Sequence, residues 1–425
     1  PRNLDDDTFR YQQYHSNRHV RNNSNYRVQW SDPLCIDPND HDKECEGESM
    51  NSIKSNDNKN KVQRFFINNA VPLLFILFAV LAIPMSDLSM EYLIAEMITR
   101  LARYSFLVLA LLIPVIAGMG MNFGIVLGAM AGQIGLIFVM DWNIMGIPAF
   151  FLAIIISMPL AIFLGWMAGI ALNHAKGREM VTSYILGFFI NGVYQLIVLY
   201  SMGSIIPISN SQIVLPRGYG IRNAIDLVNL RKSVDRLIPL EINGIEIPVM
   251  TFILVAILCV FIIWFRKTKL GQDMRAVGQN MEVARNAGIP VERTRILAIV
   301  ISTVLACIGQ IIFLQNIGTM NTYNSHEQIG MFSIAALLVG GASVAKASIK
   351  NAFVGIILFH IMFVVAPRAG KTLMGEAQIG EYFRVFVSYA IIAIALALHA
   401  WRKNKEAEFA RRSLRVDTDA AGTSE

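Results

Sequence analysis

The sequence predicts an all-α, polytopic membrane protein of about ten transmembrane helices, because runs of about twenty apolar residues without an acid recur along it and cross a bilayer core. Of its 425 residues, 54% are hydrophobic and 16% are charged, whereas about a quarter of the residues in soluble domains are charged. The formal charge is +6, but the basic residues form short clusters beside the apolar runs, as topology signals do. We therefore expect the chain to lie in a lipid bilayer and not to bind nucleic acid.

The chain begins with a polar region unlike the rest. Residues 1–49 are rich in Asn, Asp, Arg and His and have almost no aliphatic periodicity, so we expect a disordered head. Met50 would make a normal start, and an extension added by cloning or gene prediction is one explanation of this head. Residues 50–64 are a basic lead-in and residues 402–425 a polar tail, both expected in the cytoplasm.

The candidate spans occupy residues 65–401 as a transmembrane domain. Between the first two spans, residues 86–100 alternate apolar and acidic side chains at helical spacing, so we expect them to lie in the membrane interface. Residues 207–246 are the one long polar loop. The spans are 65–84, 101–119, 121–140, 147–172, 181–206, 247–265, 296–314, 328–344, 350–366 and 383–401.

The short basic loops predict the orientation, since Lys and Arg are retained on the cytoplasmic side of a membrane. Placing both termini in the cytoplasm also places the basic residues near 176–178, 266–295 and 346–350 there. The opposite orientation would export nearly all of them. Residues 266–295 are therefore expected to be a cytoplasmic loop, and residues 207–246 an outer loop.

Glycines recur at every fourth position from Gly120 to Gly132 and predict a helix face without side chains. Such a face lets a second helix approach closely, and packing drives helix association in lipid. Packing explains the pattern at least as well as a substrate-lining role. The predicted packing residues are Gly120, Gly124, Gly128, Gly132, Gly340 and Gly341.

The polar residues inside the spans are neutral amides and hydroxyls, and no Asp or Glu lies in the core of any candidate span. Ion-driven pumps usually need a buried acid, so we expect the driving energy to come from another subunit. His360 is the ionisable residue that stands well inside a span, and we expect it to be packed. A neutral hydrogen-bonding solute, such as a sugar, nucleoside or flavin-like ring, suits a path of this kind. The candidate path residues are Asn122, Gln133, Asn191, Tyr194 and Gln195, each of which can instead bond between helices.

The chain lacks the motifs of catalysis. The stretch "PRAGKT" at 367–372 has Val365 where a phosphate-binding loop needs glycine, and no strand precedes it. Motifs of hydrolases and metalloproteases are absent, and Cys35, His41 and Cys45 fit no familiar zinc spacing. We predict no enzyme, no metal and no cofactor in this chain.

Residues 280–290 contain the signals of a short, isolated helix of about two turns. The small side chains of Ala284 and Ala287 would let it enter a partner's groove, and Arg275 and Arg285 offer ionic contacts. A solvated loop with incidental caps is the alternative on these features alone. The signals are the cap Asn280, the acid Glu282, the base Arg285, and the terminators Gly288 and Pro290.

The sequence here resembles a known family. The stretch "GQDMRAVGQNMEVARNAGIPVERTR", followed by a span and "IAALLVGGASVAKASIKNAFVGIIL", is similar to permease subunits of bacterial ABC importers of the ribose, simple-sugar and branched-chain amino acid group. The residues matching the first motif are Gly271, Arg275, Ala276, Val277, Gly278, Asn280, Ala284, Arg285, Gly288 and Ile289. Those matching the second are Ile334, Ala335, Ala336, Gly340, Gly341 and Ser343. "GMNFGIVLGAMAG" departs from the acidic stretch usual in the sugar permeases, and "SVAKASIKN" lacks their usual glycines.

The resemblance implies an ABC importer permease fold and a set of partners. These are a second permease copy or paralogue, two cytoplasmic ATPase subunits that bind ATP and Mg, and an extracytoplasmic solute-binding protein. It also implies the bacterial cytoplasmic membrane as location and an ATPase-coupling role for the first motif. We call residues 266–295 the coupling segment. The alternatives are a stand-alone secondary transporter or facilitator and a membrane enzyme.

Overall fold

The computed structural model describes residues 69–242, 244–343, 346–375 and part of 378–401. The expected polar head, basic lead-in and C-terminal tail lie outside the described residues, as does much of the expected last span. The helices in the described ranges are α1 (Ala70–Met85), α2 (Met90–Ala110), α3 (Leu112–Ile116), α4 (Ile125–Asp141), α5 (Gly146–His174), α6 (Glu179–Leu196), α7 (Val249–Phe265), α8 (Lys269–Gln279), α9 (Met281–Asn286), α10 (Val291–Ile317), α11 (Ser325–Val339) and α12 (Ile349–Met374).

The predicted helical, polytopic membrane fold is confirmed. Within the described residues, 5 helical segments are long and apolar enough to cross a membrane, or up to 6 if the bent pair α7 and α8 counts as one span. The helices α1 and α4 are apolar but shorter. The 5 segments are Met90–Ile116, Gly146–His174, Glu179–Ser201, Val291–Ile317 and Ile349–Thr372.

The segment 86–100, expected in the membrane interface, is continuous with the next candidate span. The helix α2 starts at Met90 and continues to Ala110, as part of a candidate span that ends at Ile116. Within it, the half-buried Glu96 accepts a hydrogen bond from Arg100 one turn later at 2.7 Å. The position of this first part of α2 relative to the membrane stays a prediction.

The helix α10 lies at the centre of the bundle, and small residues bring two helices against it. Cβ atoms built on Gly165 and Gly169 of α5 would each lie 3.0 Å from an α10 Cα atom. On α4, a Cβ on Gly128 would clash with the carbonyl oxygen of Thr303, and one on Gly132 would lie 2.8 Å from that of Cys307. Larger side chains at these positions would therefore separate the helices.

The expected four-glycine stripe is shorter than predicted, because α4 begins only at Ile125. Gly120 lies in the preceding turn with φ +73 and Gly124 is the residue before the helix. Gly340 follows the last residue of α11, at a close contact between α11 and α12. A Cβ at this position would clash with the carbonyl oxygen of Asn351, so the contact requires glycine. Gly341 follows with φ +81.

The region 207–246 contains short strands that add two small sheets to the helical fold. Strand β1 (Ala224–Asp226) pairs antiparallel with β4 (Thr319–Asn321), which directly follows α10. Strand β2 (Pro239–Ile242) pairs with β3 (Ile245–Pro248), which leads into α7. The loop is thus attached to the bundle through backbone hydrogen bonds.

The loop 207–246 and the coupling segment lie at opposite ends of α5. The first residue of α5, Gly146, donates its N–H to the carbonyl oxygen of Asn229 at 2.9 Å. Near the other end, Asn173 Nδ2 donates to the carbonyl oxygen of Glu292, also at 2.9 Å. The 29 residues of α5 extend about 43 Å at 1.5 Å per residue. This exceeds the hydrocarbon thickness of a bilayer, so the two polar regions can lie on opposite sides of one.

Candidate functional site

Three of the predicted path residues meet around a histidine at the start of α11. His326 is fully buried, and its Nδ1 lies 2.8 Å from Gln133 Oε1 on α4. Its Nε2 lies 2.8 Å from Asn191 Oδ1 on α6. The Tyr194 ring, one turn further along α6, packs edge-on against the imidazole at 5.0 Å between centroids. We call Gln133, Asn191, Tyr194 and His326 the His326 cluster.

Further hydrogen bonds fix the cluster to the chain before α11. The Tyr194 hydroxyl lies 3.1 Å from both Gln133 Oε1 and the carbonyl oxygen of Thr322, so its one proton is shared between two acceptors. Gln133 Nε2 donates to the carbonyl oxygen of Asn321 at 3.4 Å. The cluster therefore joins α4 and α6 to the turn between β4 and α11.

The hydrogen-bond pattern constrains the imidazole. A neutral ring donates from one nitrogen and accepts at the other. Gln133 presents its oxygen to Nδ1, because its amide nitrogen points at Asn321. A neutral His326 consequently donates from Nδ1, and Asn191 then turns its NH₂ group towards Nε2. An imidazolium would donate to both amide oxygens. In either form both ring nitrogens are occupied.

A narrow groove between α6 and α11 begins where the cluster ends. We call it the α6–α11 groove, and it encloses about 20 Å³, roughly the space of one water molecule. Tyr184 packs edge-on against Phe123 at 5.5 Å and against Phe188 at 4.6 Å between centroids. Asn191 belongs to both the cluster and the groove wall, so it connects the two. The lining side chains that carry aromatic or polar groups are Phe123, Tyr184, Phe188, Asn191 and Glu327.

The two remaining path candidates have other surroundings. Asn122 is buried, and its Oδ1 accepts the N–H of Gly124 at 2.9 Å, so it stabilises the turn before α4. Its Nδ2 has no hydrogen-bond partner among the described residues. Gln195 is half-buried, and its Nε2 lies 3.5 Å from Asn191 Oδ1. Asn122 is therefore outside the cluster, and Gln195 lies at its edge.

Sequence reasoning missed His326 and Glu327. The eighth candidate span was started at residue 328, because runs were required to contain no acid, and this excluded the first turn of α11. The helix start was nevertheless readable, since Ser325 and Glu327 are residue types favoured at helix N-termini. Continuing the helical register back by one turn would have placed His326 on the face of Gly330.

Charged residues also occur in the bundle, which corrects the expectation that His360 is the ionisable group inside it. Arg103 on α2 donates from Nε to Asn316 Oδ1 at 2.7 Å, and Asn316 Nδ2 donates to Asp235 Oδ2 at 2.6 Å. Thr251 Oγ1 on α7 donates to the other oxygen of Asp235 at 2.5 Å. The network ties the loop 207–246 to three helices. His360 is buried and packs on Tyr104 with 4.0 Å between ring centroids.

The coupling segment has the helix ends that its sequence indicates, plus one more helix. Asn280 Oδ1 accepts the N–H groups of Glu282 and Val283 at 2.9 and 3.2 Å. Gly288 has φ +81, after which α10 begins at Val291. The additional helix is α8, which starts after Thr268, whose Oγ1 accepts the N–H of Gly271 at 3.2 Å. A bend of 73° separates α8 from α7.

The expected coupling residues divide into an inner and an outer set. The expectation that Ala284 enters a partner's groove is wrong, because Ala284 is 3% exposed and packs with Val277 and Val291. Gly278 faces the turn after α3, where its Cβ would lie 2.9 Å from Gly118 N. The exposed side chains of the segment include Arg275, Val283, Arg285 and Ala287. These outward residues are the ones free to meet another subunit.

Comparison with known proteins places the chain among transporters. Residues 93–396 match the family described as "Branched-chain amino acid transport system / permease component". The chain is 26% identical over 252 residues to the nucleoside ABC transporter permease protein NupB of Lactococcus lactis subsp. cremoris, covering 58% of this chain and 63% of that protein. It is 26% identical over 165 residues to the xylose transport system permease protein XylH of Haemophilus influenzae, covering 39% and 42%.

A third relative is the xylose/arabinose import permease protein XylH of Sulfolobus acidocaldarius, which is 23% identical over 271 residues, covering 61% of this chain and 68% of that protein. The chain spans less than two thirds of the length of NupB and of the Haemophilus protein. No solved structure matches it. Because residues 93–396 make up more than half of the chain, this multi-pass membrane protein belongs to the branched-chain amino acid transport system permease component family.

Proposed function

We propose that the chain is the membrane-spanning permease subunit of an ATP-driven importer, and that the α6–α11 groove is one wall of its translocation path. The cargo is a neutral polar ring compound, such as a nucleoside or a simple sugar. The observation that carries the proposal is Asn191, which the buried His326 holds at the wall of an aromatic groove. The printed names of the relatives, which are nucleoside and sugar permeases, support the same cargo class.

The groove chemistry fits such a cargo. The rings of Phe123, Tyr184 and Phe188 offer apolar surface to a sugar or base ring. The Asn191 amide and the Glu327 carboxylate can hydrogen-bond hydroxyl or ring N–H groups, and few such polar groups are needed to orient a ligand in an apolar site. Glu327 was not foreseen, and it supplies an acceptor at the groove wall for which the described residues provide no ion-pair partner.

This conformation is closed at the groove, because about 20 Å³ cannot hold a sugar. Opening requires α6 to move relative to α11, which changes the contact between Asn191 and His326. The exposed aromatic residues Phe188 and Phe189 on α6, at 48% and 66% exposure, fit a second permease copy or paralogue that completes the path.

The energy source and partners follow from the coupling segment. Its exposed side chains contact one of two cytoplasmic ATPase subunits, which hold ATP and Mg, and closure of that pair displaces α9. A solute-binding protein delivers the cargo on the other side, beside the loop 207–246. The position of these two regions at opposite ends of α5 supports this arrangement. The protein then lies in a bacterial cytoplasmic membrane with both termini in the cytoplasm.

Reconstitution tests the proposal. The chain is placed in proteoliposomes with an ATPase and a solute-binding protein of its importer, and uptake of labelled nucleosides and sugars is measured with and without ATP. We expect ATP-dependent uptake that falls on Asn191→Ala and Glu327→Gln. Ile155→Val, at an exposed position of α5 that has no role in the proposed path, is the control. Uptake by the chain without the ATPase would instead support a secondary transporter or facilitator.

A further inference from the structure

One arginine at the start of α10 connects the coupling segment with α6. Arg295 is 0% exposed, and among the described residues it is the Lys or Arg that is fully buried. Its Nη2 donates to Glu179 Oε1 in the first turn of α6 at 2.7 Å. Its Nη1 lies 2.8 Å from Met281 Sδ, in the first turn of α9. The same guanidinium therefore touches the helix proposed to meet the ATPase and the helix that carries Asn191.

The burial of this ion pair makes the connection stiff. A charge removed from water needs a partner, and the Glu179 side chain is itself only 12% exposed. The apolar contacts of Val277, Ala284 and Val291 hold α9 against the start of α10 beside the arginine. A displacement of α9 consequently moves Arg295, and Glu179 must follow or lose its partner.

The helix α6 carries the displacement towards the groove. It runs from Glu179 to Leu196 without an internal proline. Asn191 lies twelve residues after Glu179, which is about 18 Å along the axis at 1.5 Å per residue. A shift of the first turn of α6 therefore reaches the contact between Asn191 and His326 through one continuous helix.

We infer that Arg295 is a positioning residue that transmits movement of α9 to α6, and so opens the α6–α11 groove. This inference rests on the proposed function. It assigns a task to the last residue of the coupling segment, which is not among the ten positions that match the first motif, and it predicts where α9 and α6 are linked. The Nε of Arg295 has no hydrogen-bond partner among the described residues, so the guanidinium keeps a donor free to change partner during the movement.

The first test measures the ratio of solute transported to ATP hydrolysed by the reconstituted complex. Arg295→Met with Glu179→Gln removes both charges; the amide keeps the shape of Glu179, and methionine keeps the apolar stem of Arg295 without its guanidinium. We expect uptake to fall about tenfold while ATP hydrolysis stays within about twofold. The swap Arg295→Glu with Glu179→Arg should restore part of the ratio. Lys176→Gln, which removes the exposed pair with Glu292 at 3.5 Å, is the nearby control and should leave the ratio unchanged.

The second test does not depend on solute uptake. Spin labels replace the exposed Phe189 on α6 and Gln328 on α11, after the native cysteines are changed to alanine, and their separation is measured with the ATPase bound, before and after ATP. We expect the separation to change in the otherwise native complex and to stay constant in the Arg295→Met, Glu179→Gln variant.

The outcomes separate the two proposals. A native complex without ATP-dependent uptake contradicts the proposed function, whatever the labels report. A complex that transports, and whose neutral pair variant keeps its transport ratio and its label movement, overturns the role of Arg295 alone. Uptake and ATP hydrolysis that fall together, at normal label movement, would show a merely structural ion pair and would also overturn it.

Discussion

Each helix end of the coupling segment is set by a residue a few positions away, whereas the His326 cluster joins side chains as far apart as 193 residues. The cap Asn280 bonds to residues 282 and 283, and the left-handed Gly288 follows the end of α9 two residues before Pro290. The cluster depends on α4, α6 and α11 meeting in space. Local interactions thus form the proposed contact site for the ATPase, whereas tertiary packing forms the proposed contact site for the transported solute.

The largest effect is expected at the centre of the cluster. His326→Ala leaves the buried amides of Gln133 and Asn191 without their ring partner, and each unpaired buried polar group costs about 1–3 kcal/mol. We expect a lower thermal unfolding midpoint and a loss of ATP-driven uptake of more than about tenfold, since the same contact positions Asn191. Unfolding in detergent and uptake in proteoliposomes are the measurements.

His360 provides a matched control for that substitution. Its ring is also fully buried, but its nitrogens have no hydrogen-bond partner among the described residues, and it packs on Tyr104. His360→Phe keeps the ring and removes no hydrogen bond that the structure contains, so we expect a change below about 1.5 kcal/mol. Equal losses in both variants would mean that replacement of a buried histidine is enough to cause the loss, and that the amide contacts of His326 add nothing.

The next largest effect tests whether the coupling segment also depends on tertiary packing. In Gly278→Ala the added methyl meets the backbone of the turn after α3, 2.9 Å from Gly118 N. Overpacking of this kind costs about 1–3 kcal/mol, and α8 must move away. We expect normal membrane insertion with uptake reduced about five- to tenfold.

Gly288→Ala is the comparison for Gly278→Ala. No atom lies within 4 Å of its Cβ position, so only its φ of +81 opposes the substitution. A left-handed residue costs about 1–2 kcal/mol without glycine, and we expect the smaller loss of uptake. A larger loss at Gly288 would show that the helix end matters more than the contact with α3.

A third substitution addresses the exposed face of α9. Arg285→Glu reverses a charge in the last turn and faces solvent, so folding should change by less than about 1 kcal/mol. We expect insertion and unfolding to stay normal while uptake and stimulation of the ATPase fall about fivefold, because a charge at an interface chiefly affects association. Stimulation equal to that of the native chain would contradict contact between this face and the motor.

The coupling segment could be predicted from the sequence more fully than the His326 cluster, because its helix ends depend on local interactions. Caps, breakers and charge positions act within one turn, so the ends of α9 were readable from residues 280–290. The helix α8 was missed because Gly271 and Gly278 lower helix propensity. In the structure, Gly271 lies against the backbone at the end of α7, and Gly278 lies against the backbone at the end of α3. These contacts depend on the tertiary fold and have no local signal in the sequence.

The candidate site was predicted in its components and missed at its centre. Polar residues inside apolar runs stand out, so Gln133, Asn191 and Tyr194 were found. No local signal links them, and the requirement for acid-free spans excluded His326 and Glu327. Asn122 lies outside the cluster, because an amide before a helix can accept a hydrogen bond from the turn of its own chain. The burial of Asp235 was not predicted either, because its hydrogen-bond partners Asn316 and Thr251 lie in helices that are distant in sequence.

The smallest effect tests the most local feature of all. Asn280→Ala removes the two hydrogen bonds that start α9, at a cost of about 1 kcal/mol for a helix cap. The contacts of Ala284 with Val277 and Val291 remain, so we expect α9 to loosen at its first turn without leaving its place. Uptake should fall about two- to threefold, hydrogen exchange at residues 281–283 should accelerate, and Asn280→Asp should restore both, since its carboxylate accepts the same bonds. If exchange accelerates while uptake stays constant, the first turn of α9 bears no force, and the motor acts on the packed end of the helix.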